Sequence, residues 1–249
     1  MPDNTHRSKL DQLEAGLVDS SNYWVQFKKL FLYYCLWYKS QARFILLSLG
    51  LLFLCLFLFL IPHETPNFNL SEQVILPTPT LALSKAVSWT TEYLYHLLAI
   101  ALLLVVSTFK KSNYLRLIGM AVLVTLIFST LSIRVSKVAF GRLRPIVAER
   151  MELSDTFKPF NLKHKYHSFP SGHTSSSFST TTTLLSLNPI LCSPLIAYAT
   201  YIGYTRIHLR QHYPSDVIAG ASIGIVSALP MLALSRKITV QKRKARSSK

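Results

Sequence analysis

The sequence predicts an all-α polytopic membrane protein in which six transmembrane helices form one bundle. Hydrophobic residues make up 50% of the 249 residues and charged residues only 15%, below the roughly 25% charged residues of a soluble domain. Long uncharged runs provide six segments near the roughly 20 apolar residues that a spanning helix needs. The net charge of +16 comes from Lys and Arg that collect between these runs. This pattern excludes a disordered chain and disfavours a soluble nucleic-acid-binding protein.

The first three predicted spans are separate apolar runs. Residues 44–61 lack any charge, and Pro62 ends the run because proline breaks a helix. Residues 87–109 and 117–133 follow as the second and third runs. The first run is preceded by 43 residues and is not followed by a small-residue cleavage site. We therefore interpret it as an uncleaved span and not as a signal peptide.

The last three predicted spans come from two runs. Residues 174–205 form an uncharged stretch of 32 residues, which is too long for one span. Pro189 and Pro194 predict its division into two helices, because the residue before a proline disfavours the helical conformation. Residues 217–234 supply the sixth span.

The distribution of Lys and Arg predicts the orientation, because cytoplasmic loops are enriched in them. Residues 1–43 carry six and residues 235–249 carry seven, so we expect a cytoplasmic N-terminal segment and a basic cytoplasmic tail around a six-span domain at residues 44–234. Residues 23–39 mix aromatics with lysines and would either lie on the membrane surface as an amphipathic helix or pack against the bundle. The outer loop at residues 137–168 holds seven basic residues against the topological trend, which indicates anion binding.

Three short segments fall at this outer face if the chain has six spans. They are KVAFGRLRP at residues 137–145, FPSGH at residues 169–173 and TRIHLRQHYPSD at residues 205–216. An error of one span would separate these segments by the bilayer. Their convergence at one face is therefore an independent check of the topology.

The cations in these segments are suited to a phosphate. Lys137, Arg144 and Arg206 can surround a tetrahedral dianion, because Arg offers a planar fork of donors and Lys a point charge. Ser171 and Gly172 begin a predicted helix, where free backbone N–H groups and the positive end of the helix dipole favour an anion. Lys137 and Arg144 also have a simpler interpretation as interfacial anchors at a helix end.

Two histidines in the same segments can carry out phosphoryl chemistry. Of His173 and His212, one would attack phosphorus as a neutral imidazole and the other would protonate the departing oxygen. Asp216 follows His212 by four residues, and Pro214 is suited to open a helix between them. The carboxylate of Asp216 can therefore accept the ring N–H of His212 and fix its tautomer.

These motifs resemble those of the type 2 phosphatidic acid phosphatases, membrane lipid phosphate phosphatases that share their core with vanadium haloperoxidases. The family motifs are Lys-x6-Arg-Pro, Pro-Ser-Gly-His and Ser-Arg-x5-His-x3-Asp. The first two are matched without exception, and Thr205 stands where the third has Ser but keeps a hydroxyl. The resemblance covers roughly residues 137–220 together with the six-span architecture.

The resemblance implies that His212 is the nucleophile and forms a phosphohistidine, that His173 is the general acid and that Asp216 orients His212. It implies that the phosphate is held by Lys137, Arg144, Ser171, Gly172 and Arg206. It implies no metal and no cofactor. The collection of basic residues between the apolar runs argues against a nucleic-acid partner. We therefore expect a hydrolase of phosphate monoesters or diphosphates on a membrane lipid, with its site at the periplasmic face of a bacterial inner membrane.

The lipid itself stays open among several candidates. Lys158, Lys163 and Lys165 indicate a headgroup with more negative charge than one phosphate. The candidates are undecaprenyl diphosphate, a lipid A phosphate, phosphatidic acid and phosphatidylglycerol phosphate. The same residues would also serve a lipid-to-lipid phosphotransferase or a catalytically silent lipid-phosphate binding or transport protein.

Other polar residues near the motifs have two interpretations each. Arg142 and Arg210 would either touch the headgroup or form a solvated rim. The small residues at 174–183 would line a polar cavity or allow close helix packing, and the second is the commoner role. A zinc site is a further alternative that uses His208 and His212 with His164 or His167, but the interleaved arginines would repel a dication.

Overall fold

The computed structural model describes residues 4–15, 17, 22–64, 81–89, 93–153 and 157–247. In these residues the chain is helical and contains no β-strand. The only pairing of β type found there is an isolated bridge between Arg142 and Phe157. The prediction of an all-α chain is therefore confirmed over the described ranges.

Ten α-helices occur in this part of the chain. They are α1 (Asn4–Ala15), α2 (Tyr23–Cys55), α3 (Leu81–Trp89), α4 (Tyr93–Phe109), α5 (Asn113–Phe140), α6 (Pro145–Arg150), α7 (Gly172–Leu187), α8 (Pro189–Cys192), α9 (Pro194–His208) and α10 (Pro214–Ser247). A π-helical turn at Leu56–Leu60 and a 3₁₀ turn at Ile61–His63 extend α2, and another 3₁₀ turn lies at His164–Tyr166.

Three of the described helices are long and apolar enough to cross a membrane. They lie at Tyr23–His63, Leu115–Phe140 and Pro214–Val240 and contain the first, third and sixth predicted spans. The helices at the other three predicted spans, α4, α7 and α9, have 17, 16 and 15 residues. At 1.5 Å per residue each is shorter than the bilayer core. Six spans therefore stay a prediction.

The structure differs from the prediction at the second span but agrees with it at the break between the fourth and fifth spans. The run at 87–109 is shared between α3 and α4, and residues 90–92 between them lie outside the described residues. The break near Asn188 is confirmed, because α7 ends at Leu187 and the Asn188 side chain accepts a hydrogen bond from the backbone N–H of Leu191 at 3.1 Å. A one-turn helix, α8, separates the two helices that the prolines predict.

Helix α2 runs through residue 43 without interruption, so no structural boundary occurs at the predicted edge of the N-terminal segment. Asn22 starts the helix by accepting the backbone N–H of Trp24 at 2.9 Å. Tyr33 and Tyr34 in its first half are buried, and the Tyr34 hydroxyl lies 2.8 Å from that of Thr125 in α5. Part of this segment therefore packs against the bundle, and its position relative to a membrane surface stays a prediction.

Helix α7 is the central helix of the bundle and packs against α5, α9 and α10. A Cβ on Gly220 of α10 would lie 2.4 Å from the backbone oxygen of Ser171, and one on Gly224 would lie 2.5 Å from that of Ser175. The Ser175 hydroxyl is 2.7 Å from the hydroxyl of Ser129 in α5. The small residues of α7 therefore serve close helix packing, which was the commoner of their two interpretations.

Candidate active site

The three motifs meet at one end of the bundle, where α5 and α9 end and α7 and α10 begin. The backbone N–H of Ser168 donates to the carbonyl of Arg142 at 3.0 Å, which joins the first motif to the segment before the second. The backbone N–H of Ser171 donates to the carbonyl of Asp216 at 2.9 Å, which joins the second motif to the third. Main-chain hydrogen bonds therefore fix the three segments relative to one another.

Gly141 allows the first motif to turn away from α5. It ends the helix in the left-handed conformation, with φ at 60°, a region that favours glycine. A Cβ at this position would lie 1.9 Å from the backbone oxygen of Lys158. The Lys158 N–H also donates to the Gly141 carbonyl at 2.8 Å. The turn and the neighbouring loop are thus built around the absence of a side chain.

A cavity of about 180 Å³ opens between these helix ends. Its lining includes six of the eight predicted site residues: Lys137, Arg144, Gly172, His173, Arg206 and His212. The remaining two, Ser171 and Asp216, are fully buried. The structure therefore brings the predicted cations and both histidines to one cavity.

Lys137 and Arg144 are held in place by neutral partners. The Lys137 ammonium donates to the backbone carbonyl of His167 at 2.7 Å. Arg144 Nη1 donates to Oε1 of Gln211 at 2.5 Å. The buried Nε of Arg144 has no hydrogen-bond partner among the described residues, and burial lowers the pKa of this guanidinium. A buried donor of this kind is available to an anion in the cavity.

His212 faces Asp216 across the first turn of α10. The imidazole is 4% exposed, and its Nδ1 lies 3.5 Å from Oδ2 of Asp216, which is longer than a normal hydrogen bond. Burial lowers the pKa of His212 to about 4, although Asp216 opposes this shift. The imidazole is therefore neutral at pH 7, as attack on phosphorus requires.

Asp216 itself is held by donors from three directions. Its Oδ2 accepts the Ser168 hydroxyl at 2.5 Å and the backbone N–H of Tyr213 at 2.9 Å. Its Oδ1 accepts Nη1 of Arg142 at 2.7 Å. A fully buried carboxylate with these partners keeps a fixed position beside His212.

Arg142 corrects one sequence interpretation. Both alternatives for this residue, headgroup contact and solvated rim, are wrong, because its side chain is fully buried. Its Nη2 donates to Oε2 of Glu64 at 2.9 Å while Nη1 bonds Asp216. Arg210, by contrast, pairs with Glu149 at 2.5 Å, and both side chains stay more than a third exposed, as expected for a rim.

Several residues at the site carried no sequence signal for this role. Glu64 belongs to no motif and reaches the site only through the fold. Gln211 occupies a position whose residue type the third motif does not specify. Arg134, His164 and His167 also line the cavity, and the nearby Arg144 lowers the pKa of His164. A hydrophobicity pattern cannot reveal such contacts.

The zinc alternative loses the histidine pair on which it depends. His212 lines the cavity, whereas the His208 ring stacks on Tyr204 with centroids 6.3 Å apart. Within the described ranges, no three His, Cys, Asp or Glu side chains are grouped closely enough to hold a metal ion.

Residues 118–239 match the family model described as the PAP2 superfamily. This part of the chain is a PAP2 superfamily domain. The match contains all three motifs, so the resemblance seen in the sequence is confirmed. The PAP2 domain begins inside α5 and ends inside α10, and it therefore contains every helix end that borders the cavity.

The chain is also similar to individual proteins. Two proteins named lipid A 1-phosphatase, from Rhizobium etli and Rhizobium johnstonii, are each 35% identical over 114 residues, or 46% of this chain. The match covers 49% and 46% of those proteins, so the chain spans about half the length of the curated relatives it matches. The chain also matches the crystal structure of Aquifex aeolicus LpxE, with 24% sequence identity and a TM-score of 0.47. This match covers 68% of this chain and 98% of that chain.

Proposed function

We propose that this protein is a metal-independent lipid phosphate phosphatase that acts through a phosphohistidine on His212. One observation carries the proposal: a single cavity is lined by the cations Lys137, Arg144 and Arg206 and by two histidines, His173 and His212. Three cations suit a phosphate dianion, and two histidines suit a nucleophile and an acid. The PAP2 match and the lipid A 1-phosphatase relatives support the same reaction class.

Phosphate binding is the first step of the proposed mechanism. The dianion would accept hydrogen bonds from the three cations, including the buried Nε of Arg144. The N-terminus of α7 at Gly172 would add backbone donors and the positive end of its dipole. Each charge-assisted hydrogen bond of this kind contributes about 1.5–3 kcal/mol.

Phosphoryl transfer to His212 is the second step. Nδ1 of His212 faces Asp216, so Nε2 is the nitrogen that attacks phosphorus. A bond from Nε2 to phosphorus forms while the bond from phosphorus to the lipid oxygen breaks. With the phosphate dianion bound beside it, His173 would take up a proton from solution. It gives this proton to the lipid oxygen, which leaves as a lipid alcohol or, from a diphosphate, as a lipid monophosphate.

Hydrolysis of the phosphohistidine completes the cycle. Neutral His173 takes a proton from a water molecule, and the water oxygen attacks phosphorus. The bond from Nε2 to phosphorus breaks, which releases inorganic phosphate and returns His212 to its neutral form. His173 regains its proton for the next turnover, so the two steps balance.

Among the candidate lipids we place a lipid A 1-phosphate first. Two relatives carry the name lipid A 1-phosphatase. Lys158 and Lys163 are exposed on the loop that follows the first motif, and they suit a headgroup with a second phosphate. We propose that such a lipid enters laterally from the outer leaflet of a bacterial inner membrane, with six spans, cytoplasmic termini and a periplasmic site.

Phosphate release from a panel of lipids in detergent tests this function. The panel holds lipid A, undecaprenyl diphosphate, phosphatidic acid and phosphatidylglycerol phosphate, with EDTA present throughout. We expect release by the wild type, none by His212→Ala, and wild-type release by His208→Ala, because His208 stacks on Tyr204 outside the cavity lining.

Other outcomes would contradict the proposal in distinct ways. Release that survives His212→Ala, or that EDTA abolishes, would exclude the phosphohistidine mechanism. Phosphate that moves to a second lipid would identify a phosphotransferase. An absence of both release and transfer would favour a binding or transport protein.

A further inference from the structure

A buried chain of three charges connects the end of the first long helix to the third motif. Glu64 follows the helical segment Tyr23–His63, and Asp216 lies in the first turn of α10. Arg142, from the first motif, bridges them, with Nη2 at 2.9 Å from Glu64 and Nη1 at 2.7 Å from Asp216. Their side chains are 0–2% exposed. We call this chain the Glu64–Arg142–Asp216 relay.

We infer that Glu64 and Arg142 are positioning residues that hold Asp216 against His212 through this relay. The inference rests on the proposed function, because it gives the two residues a role in the reaction of His212. Neither residue lines the cavity. They would act only through Asp216.

Glu64 also fixes the backbone that carries Asp216. Its Oε1 accepts the backbone N–H of Ser215 at 2.7 Å, and its Oε2 accepts the Ser215 hydroxyl at 2.5 Å. A carboxylate at this position accepts a hydrogen bond from one of the free N–H groups at the start of α10. Its negative charge also interacts favourably with the positive end of the helix dipole. Displacement of Glu64 would therefore move the residue next to Asp216.

Arg142 is restrained in the remaining directions. Its guanidinium Cζ lies 3.8 Å from the centroid of the Tyr213 ring and 5.2 Å from that of Phe157. Nη1 also donates to the Ser215 hydroxyl at 2.6 Å. Two carboxylates and two aromatic rings thus restrain the planar guanidinium group of Arg142. This environment suits Arg better than Lys.

The negative charge of Glu64 also affects the protonation of His212. Burial raises the pKa of Glu64, and Arg142 together with the Ser215 donors opposes this rise. With both carboxylates ionised, the relay carries a net charge of −1 beside His212. If Glu64 were neutral, Arg142 and Asp216 would form a neutral pair. His212 would then lose most of the negative field that favours its protonated form.

The cations that line the cavity beside His212 favour its neutral form. They are Arg134 and Lys137 of α5, Arg144 of the following loop and Arg206 of α9, and the imidazoles of His164, His167 and His173 line the same cavity. The relay is therefore the negative partner that offsets these cations around the nucleophile.

Glu64→Gln tests the relay because it keeps the shape of the side chain and removes its charge. We expect kcat on the best lipid substrate to fall about tenfold, with KM changed less than about twofold. We also expect the acidic limb of the pH profile of kcat to shift to a lower pH by about one unit, because His212 becomes less basic. A folding defect alone would reduce the active fraction and leave the limb in place.

Two further variants provide controls. Glu149→Gln removes the charge of the more exposed Glu149–Arg210 pair at the same face and should keep the wild-type kcat and pH profile. Glu64→Asp keeps the charge with a shorter reach, so kcat should fall while the limb stays where it is in the wild type. If Glu64→Gln yields no folded protein, Glu64→Asp decides the question, and a shifted limb in that variant would overturn the relay.

The outcomes for the relay and for the proposed function are separable. A wild-type protein that releases phosphate, with a Glu64→Gln variant of unchanged kcat or unchanged limb, would overturn the relay alone. If the wild type releases no phosphate from any lipid, the proposed function fails. The relay is then tested by NMR titration of the His212 imidazole, whose pKa should be lower in Glu64→Gln than in the wild type, and equal values would refute it.

Discussion

The ammonium of Lys137 donates a hydrogen bond to the backbone carbonyl of His167 at 2.7 Å. This contact ties the cation of the first motif to the segment that leads into the second. His167 is anchored in turn, because its Nε2 lies 3.0 Å from the backbone oxygen of Asn161. The loop between the motifs thus positions a charge at the cavity wall.

Loss of the Lys137 charge should weaken the transition state strongly. We expect Lys137→Met to lower kcat/KM by roughly 10- to 150-fold, which corresponds to one charge-assisted hydrogen bond of about 1.5–3 kcal/mol. Steady-state kinetics on the best lipid substrate would measure it. Lys110→Met is the control, because this exposed lysine follows α4 at the far end of α5. Equal kinetics for the two variants would remove Lys137 from the phosphate site.

Asp216→Asn should impair both stability and catalysis. The variant removes one of the two carboxylates that pair with the buried Arg142, and breaking a buried ion pair costs about 3–5 kcal/mol. We expect a lower midpoint of thermal unfolding in detergent and a kcat reduced more than a hundredfold. A variant with the wild-type midpoint and kcat would show that the carboxylate neither holds Arg142 nor serves His212.

His212 should make stability depend on pH. Its folded pKa of about 4 lies below the ordinary value near 6.5. Between pH 6.5 and pH 4 the His212 imidazole is therefore protonated in the unfolded chain but neutral in the folded protein. The free energy of unfolding falls as the pH drops through this range. The full effect is about 3 kcal/mol.

The corresponding measurement compares thermal unfolding of the wild type and His212→Gln between pH 7.5 and 4.5. We expect the wild-type midpoint to fall more steeply than that of the variant below pH 6.5. Parallel curves would mean that His212 is not held neutral in the folded protein.

Gly141→Ala should disrupt the turn after α5. The added Cβ would collide with the Lys158 carbonyl in a left-handed conformation, so we expect a lower unfolding midpoint and a loss of activity. Gly50→Ala in α2 is the control, because nothing lies within 4 Å of a Cβ there. Its midpoint should be unchanged or higher, since alanine favours a helix. A Gly141→Ala variant as stable as Gly50→Ala would refute the steric argument.

The sequence predicted the parts of this fold that local patterns encode. Apolar runs marked helices, and Pro189 and Pro194 marked a real division. The helices α4, α7 and α9 have only 17, 16 and 15 residues, so six spans stay a prediction. The sequence did not show that residues 23–39 and the first predicted span form one continuous helix, α2.

The candidate site was predictable where residue type and spacing carry the chemistry. The cations and histidines of the three motifs lie at one cavity, as their spacing indicated. Glu64 was not predictable, because it contacts Ser215 across 151 positions of the chain and no motif contains it. Arg142 was assigned to a surface because an isolated arginine is rarely buried, and only its two carboxylate partners make burial possible.

Trapping of the intermediate tests the central claim most directly. The protein would be mixed with a lipid phosphate labelled with ³²P, quenched within a single turnover in alkali, where phosphohistidine is stable, and mapped by mass spectrometry. We predict label on His212 in the wild type and in His208→Ala, and none in His212→Ala. Phosphate release without a labelled protein, or label on another residue, would contradict the account.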